Sequence, residues 1–171
     1  MQNWIKAINP TAPITTEAEA LRSARASAFA VAIGAVVGAI SVVQMIVRKD
    51  EIAAAAAAAA ASDPMAAGMV GTMTQVMLYF AVALVVIQAI LAFVQWAKPN
   101  IIIPILFTVL IVGGLLLPLL PSPVEKPPID VVRVALTYGI AAIQLLLHTA
   151  GIRGASKLDK IRFAEANRED Y

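Results

Sequence analysis

The fold is decided by residues 26–47, which read ASAFAVAIGAVVGAISVVQMIV and carry no charge. As an α-helix these 22 residues would extend about 33 Å at a rise of about 1.5 Å per residue, which is enough to cross the hydrocarbon core of a bilayer. Arg22 and Arg25 precede the stretch, and Arg48 and Lys49 follow it. The stretch therefore predicts a transmembrane helix.

Three more apolar stretches of sufficient length follow, at about 70–97, 101–120 and 130–152. The second ends at Trp96 and Lys98, residue types that anchor helices at a membrane interface. Because only residues 98–100 separate it from the third, these two helices should form a tight antiparallel hairpin. The third contains Pro104 in its first turn and should end at prolines, which cannot continue a helix. They are Pro118, Pro121 and Pro123.

The fourth stretch begins beside Asp130, where the dipole of a helix favours an anion. Gly151 and Gly154 are typical of a helix C-terminus and predict that the fourth helix ends there. Residues 156–171 are dense in charges of both signs, and we expect a short cytosolic helix or a disordered tail. The predicted organisation is an N-terminal interfacial segment (1–16), a four-helix transmembrane domain (17–155) and a charged cytoplasmic tail (156–171).

The composition agrees with an all-α integral membrane protein and excludes several kinds of chemistry. Hydrophobic residues make up 60% of the chain and charged residues 14%, against about 45–50% and about 25% in soluble domains. The chain has no cysteine and one histidine, so thiol chemistry and a histidine-based metal site within one chain are excluded. With a net charge of +2 and no basic stripe, nucleic-acid binding has no support.

The basic residues predict the orientation of the four spans. If both termini lie on one side, that side carries nine basic residues and the other side carries four, and the richer side is expected to be cytoplasmic. We therefore expect both termini in the cytoplasm, in the inner membrane of a bacterium. The nine are Lys6, Arg22, Arg25, Lys98, Arg153, Lys157, Lys160, Arg162 and Arg168, and the four are Arg48, Lys49, Lys126 and Arg133.

Nine consecutive alanines, Ala53 to Ala61, are the most unusual local feature. Alanine is the best helix former, so the tract predicts that helix one continues out of the membrane, from about Glu17 to Ala61. Thr16 and Glu19 form a capping-box pattern at its start. With helix two running from Pro64 to Ala97, the four-helix bundle would carry an Ala-rich antiparallel hairpin beyond the bilayer. The alternative is a melted loop around residues 48–52.

Candidate packing and interaction residues lie within the spans. Gly34 and Gly38 lie four residues apart on helix one, a spacing that lets transmembrane helices approach closely within a chain or between subunits. Gln88 and Gln144 fall at similar depth in spans two and four. They would bond across helices, or form a polar patch for a lipid headgroup, a quinone or a protein. His148 lies one turn after Gln144 and should be an interfacial residue or a hydrogen-bond partner.

The N-terminal residues Trp4, Ile5 and Ile8 share one side of a short turn. This segment is too short to form a stable helix alone. It would lie in the inner headgroup layer or dock onto a partner.

The leading functional hypothesis is a non-enzymatic accessory or structural subunit that packs against other membrane proteins or forms a homo-oligomer. No sequence-local enzyme motif is present, so no catalytic residue, cofactor or metal ligand is predicted. No Asp or Glu lies in the interior of a span, which argues against ion-coupled transport. The alternatives are an oligomeric channel or small-solute carrier lined by Gln and Thr, and a membrane-embedded redox or lipid enzyme.

Overall fold

The structure is a computed structural model that describes residues 2–59, 64–120 and 130–169. All regular secondary structure in these ranges is helical, as the composition predicts. The α-helices are α1 (Gln2–Ile8), α2 (Glu17–Val47), α3 (Lys49–Ala59), α4 (Pro64–Ala97), α5 (Ile102–Leu116) and α6 (Val131–Glu169), and a 3₁₀ turn, Leu117–Leu119, follows α5.

Four of these helices are long and apolar enough to cross a membrane. They comprise Glu17–Val47 in α2, Met69–Ala97 in α4, Ile102–Leu119 in α5 with its 3₁₀ turn, and Val131–Arg168 in α6. Their mean hydropathy over the most apolar 18 residues is 2.4, 2.6, 2.6 and 1.6, respectively. The four stretches identified in the sequence thus lie in four separate membrane-length helices.

The predicted capping box at the start of α2 is present. The backbone N–H of Glu19 donates to Thr16 Oγ1 at 3.3 Å, and the backbone N–H of Thr16 donates to Glu19 Oε2 at 3.4 Å. Two N–H groups that have no partner inside the helix are satisfied in this way.

Over the described residues 17–59, helix one differs from the prediction only at Arg48. A turn at Arg48 separates α2 from α3, although its N–H still bonds the Gln44 carbonyl at 3.0 Å and its carbonyl accepts from Ile52 N–H at 3.0 Å. Residues 49–59 are helical, so this segment is not the melted loop considered as the alternative. The predicted cap at Asp63 lies outside the described residues, and α4 begins at Pro64 as expected.

The third span ends earlier than predicted. The α-helix stops at Leu116 and closes with the 3₁₀ turn that contains Pro118. Proline has no N–H for a bond to the carbonyl four residues earlier, and its ring clashes with that carbonyl, so α5 cannot continue regularly through this position. Pro121 and Pro123 lie outside the described residues.

The predicted end of the fourth helix is wrong. α6 continues through Gly151 and Gly154 to Glu169, so the charged tail extends the helix. None of the described glycines has a positive φ, so neither of these two adopts the left-handed conformation of a C-terminal cap. At its start, Asp130 Oδ1 accepts from the N–H groups of Val132 and Arg133, each at 3.1 Å.

The chain divides into two compact units, and each is described by itself. Unit 1 combines residues 1–32 with 91–171, and unit 2 comprises residues 33–90. Within unit 1, α2 presents a stripe of fully buried residues at helical spacing: Ala20, Ala24, Ser27 and Val31. Val31 also joins Ile103 and Phe107 of α5 in an apolar cluster.

In unit 2, Gly38 lies at a close approach of α2 and α4. A Cβ atom at this glycine would lie 3.0 Å from Val85 Cγ2, tighter than an ordinary van der Waals contact. The small residue therefore lets the two helices of this chain pack closely.

Candidate functional site: the Trp96 end of unit 1

The polar and aromatic contacts of unit 1 concentrate where α4 ends, and we call this region the Trp96 end. It is built around a close crossing of α2 and α6. A Cβ at Gly151 would lie 2.5 Å from Ser27 Cβ, and one at Gly154 would lie 2.5 Å from the carbonyl carbon of Ser23. Real Cβ atoms essentially never approach other atoms so closely. The two glycines therefore permit an approach that a larger residue would block.

Gln95 connects α4 to this crossing. Its side chain is fully buried, and its Nε2 lies 2.8 Å from Ser27 Oγ and 3.3 Å from the Ala24 carbonyl. The amide also bonds Asn100 in both directions, from Nε2 to the carbonyl at 3.1 Å and from the Asn100 N–H to Oε1 at 3.2 Å. A buried amide is costly unless it is paired, and here its partners fix the hairpin between α4 and α5.

Asn100 then starts α5. Its Oδ1 accepts from the backbone N–H groups of Ile102 and Ile103, both at 3.0 Å. Two otherwise unpaired donors of the first turn are satisfied, so one short polar segment both ends α4 and begins α5.

Three aromatic rings close the same end. Trp4 of α1 stacks on Trp96 with centroids 6.3 Å apart, and Phe29 meets Trp4 and Trp96 edge-on at 5.5 and 5.4 Å. The Arg25 guanidinium lies 5.0 Å from the Trp96 ring centroid, a cation–π geometry, and its Nε donates to the Trp96 carbonyl at 3.0 Å. That carbonyl is among the last four of α4, for which the helix itself supplies no N–H partner.

The N-terminal segment docks onto its own chain. Ser23 Oγ donates to the Ala7 carbonyl, and Arg153 donates to the carbonyls of Asn9 and Ala12 at 3.2 and 3.1 Å. The two sequence-based alternatives, the headgroup layer or a partner, therefore omitted the contact that the structure shows.

An ion pair outside the apolar span adds to this docking. The Lys6 ammonium donates to Glu19, whose carboxylate also accepts from the N–H and hydroxyl of Thr15. The bond from Lys6, followed by the bonds from Thr15, lowers the pKa of Glu19 from 4.5 to about 2. The contact therefore favours the ionised form of Glu19.

His148, a predicted interaction residue, is fully buried in α6. Its ring stacks on Phe107 with centroids 5.9 Å apart and an angle of 12° between the planes. Neither ring nitrogen has a hydrogen-bond partner among the described residues. His148 is therefore part of the apolar interior of unit 1. Its position near the membrane interface stays a prediction, and the predicted hydrogen bond is not found among the described residues.

The two predicted glutamines have different environments. Gln144 Nε2 donates to the Ala30 carbonyl at 3.0 Å and so joins α6 to α2 in unit 1. Gln88, in unit 2, has a buried Oε1 with no hydrogen-bond partner in the described part of the chain. Of the remaining predicted positions, Gly38 is the close approach described above and Gly34 is half-buried.

The most connected residues of this end were not among the predicted site residues. They are Gln95, Ser27, Gly151, Gly154 and Arg25. A signal was available in the spacing. Residues 20, 24, 27 and 31 are small or β-branched and recur at intervals of four, three and four, and glycines 151 and 154 lie three apart. Both patterns place small residues on one helix face.

The described part of the chain is all-helical, with four helices long and apolar enough to cross a membrane, and unit 1 carries a polar and aromatic cluster where α4 ends. No protein-family model matches the sequence, and comparisons with curated proteins and with solved structures gave no match.

Proposed function

We propose that the chain is a non-enzymatic accessory or structural subunit of a membrane complex. The observation that carries this proposal is the exposure of α4. In its most apolar 18-residue stretch no residue is buried, and in the corresponding stretches of α5 and α6 only 11% and 17% are buried. These three helices therefore offer most of their apolar surface to molecules outside the chain.

Glycines with free space beside them indicate that protein, and not only lipid, covers part of this apolar surface. A Cβ at Gly71, Gly113, Gly114 or Gly139 would meet nothing within 4 Å. Glycine costs about 1 kcal/mol relative to alanine in a helix interior, and lipid tails gain nothing from it. A second helix does, because small residues let its backbone approach closely.

The amides support packing more than a solute path. Gln95 and Gln144 are both bonded across helices, which is how polar side chains hold transmembrane helices together. The Gln-lined channel thus has no supporting geometry at these two positions.

We further propose that both tails are cytoplasmic in a bacterial inner membrane, with α3 and the start of α4 forming the Ala-rich hairpin on the other side. The nine-to-four distribution of basic residues supports this orientation. Because the chain lacks cysteine, single-cysteine variants report it cleanly. On intact spheroplasts a membrane-impermeant maleimide should label Ala58→Cys, and it should label Asp159→Cys only after permeabilisation. The reverse pattern would overturn the orientation.

The functional proposal is tested by recovering the tagged chain at native expression in a mild detergent and measuring its mass and associated proteins. We expect a stoichiometric partner or a second copy. Replacing both Gly113 and Gly114 with leucine should release it without lowering the Tm of the isolated chain, because a Cβ at either position meets nothing within 4 Å and leucine is the better helix former.

Val112→Leu, at the position of α5 immediately before Gly113, is the matched control and should retain the partner. A wild-type chain that runs as a lone monomer would contradict the proposal. Solute flux into proteoliposomes that disappears in a Gln88→Leu, Gln144→Leu double variant would instead establish the channel alternative.

A further inference from the structure

A basic cleft opens beside α6 in unit 1. It has a volume of about 440 Å³ and is open rather than enclosed. Its polar side chains all come from one helix segment and comprise Arg153, Ser156, Lys157 and Lys160. Arg153 takes part in the contacts described for the Trp96 end, but those contacts do not involve Lys157 or Lys160.

The helical spacing gathers these cations on one face. Arg153, Lys157 and Lys160 lie four and three residues apart, the intervals at which helical side chains become neighbours. Like charges at these intervals repel one another. Within the described part of the chain, no carboxylate lies at ion-pair distance from any of the three. An anion in the cleft would relieve this repulsion.

Arg153 is held in place for such an anion. Two of its terminal N–H groups donate to the Asn9 and Ala12 carbonyls, which fix the guanidinium without neutralising its charge. A guanidinium has five N–H donors, so further donors remain for an oxyanion. Lys157 and Lys160 are exposed and free to close on it.

The remaining walls of the cleft are apolar. They are formed by Ile14, Ile101 and Ile152. Ile101 follows the short loop at Lys98, and Ile152 ends the most apolar part of α6. The cleft therefore lies where an apolar helix surface changes to a charged one, the level at which lipid phosphates meet a membrane protein.

We propose that the basic cleft binds a phosphate group, with Arg153, Lys157 and Lys160 as its ligands. Basic pockets beside transmembrane helices are suited to anionic lipid headgroups, and the three isoleucines offer a surface for the acyl chains of such a lipid. Free inorganic phosphate shares the anionic chemistry and lacks the apolar part.

The experiment measures binding to the full chain in a neutral detergent, with tryptophan fluorescence or the Tm as the readout. Phosphatidylglycerol and phosphatidylcholine with identical acyl chains are compared, and inorganic phosphate is titrated separately. The test variant is Lys157→Gln with Lys160→Gln, since Arg153 also holds the N-terminal segment. The control, Lys49→Gln with Arg168→Gln, removes the same charge outside the cleft.

We expect a clear preference for phosphatidylglycerol, weakened about thirtyfold in the test variant, at about fivefold for each cation near an anionic surface. The control variant should keep the preference. If inorganic phosphate binds with the same dependence on the two lysines and lipid charge has no effect, the phosphate site is supported and its source is free phosphate. Equal loss in the control, or no response to either anion, would overturn the proposal.

Discussion

Replacing Gly154 with alanine should open the crossing of α2 and α6 and destabilise the chain. The added Cβ would lie 2.5 Å from the carbonyl carbon of Ser23, whereas ordinary contact begins at 3.4 Å. The helices must therefore separate by about 1 Å. The obstacle is backbone, so no side-chain rotation can relieve it.

The expected cost follows from overpacking. Inserting a methyl group into a close-packed site typically costs about 1–3 kcal/mol, and a backbone obstacle favours the upper half of this range. For a chain of this size, 1 kcal/mol corresponds to about 2–4 °C in Tm, so Gly154→Ala should lower the Tm by about 5–10 °C. Separation of the helices would also weaken the bond from Gln95 to Ser27.

The assay is thermal unfolding in a mild detergent, followed by tryptophan fluorescence. It is well placed, because both tryptophans of the chain, Trp4 and Trp96, lie at the same end. Gly139→Ala is the matched control on the same helix. A Cβ there meets nothing within 4 Å, and alanine is the better helix former, so its Tm should be unchanged or slightly raised. Equal Tm values for the two variants would refute the close crossing.

Three further perturbations test the same end of the protein. Gln95→Leu should cost about 1–3 kcal/mol, read as a lower Tm, because it removes a buried amide and leaves its partners unpaired. Glu19→Gln should lower the Tm at pH 7, because a carboxyl whose pKa is lower in the folded state than in the unfolded state stabilises the fold at any pH above the unfolded-state pKa. The difference in Tm between the two proteins should shrink as the pH falls from about 4.5 toward 2. His148→Phe should leave the free energy of unfolding unchanged or raise it by up to about 2 kcal/mol, read as an equal or higher Tm. It keeps a ring against Phe107 and removes two nitrogens that have no partner among the described residues.

Controls separate these effects from general damage. Gln75→Leu changes an exposed glutamine of α4 and should have little effect, so a loss equal to that of Gln95→Leu would contradict the buried network. Glu165→Gln removes an exposed carboxylate of α6 and should show no comparable pH-dependent difference. A large Tm loss in His148→Phe would show that His148 has a partner.

The apolar spans could be predicted from the sequence because each is a local property. Stretches such as residues 26–47 are too long and too apolar for a helix exposed to water, and this holds without knowing what the helix packs against. The capping box at Thr16 and Glu19 was also predictable, since both partners belong to one helix turn. The sequence therefore predicted most of the helical architecture correctly.

The contacts between distant helices could not be read in the same way. Arg25 was interpreted only as a flanking charge that contributes to the orientation of the spans. Its bond to the Trp96 carbonyl depends on α2 and α4 meeting at that level, 71 residues apart in sequence. Likewise, five glutamines lie in or near the spans. Nothing local distinguishes Gln95, whose amide is bonded on both sides, from Gln88, whose oxygen has no partner among the described residues.

Gly151 and Gly154 show why the prediction of the fourth helix failed. Glycine near the end of an apolar run has two physical uses. It can adopt a left-handed conformation that caps a helix, or it can remain helical and admit a neighbouring backbone. Local sequence favours the first use, because charged residues become frequent from Arg153 onward. The facing residues Ser23, Ala24 and Ser27 favour the second use, because they are small enough to accept the approach and all three are buried in α2. A matching pair of small-residue stripes is therefore a better guide to such a crossing than either stripe alone.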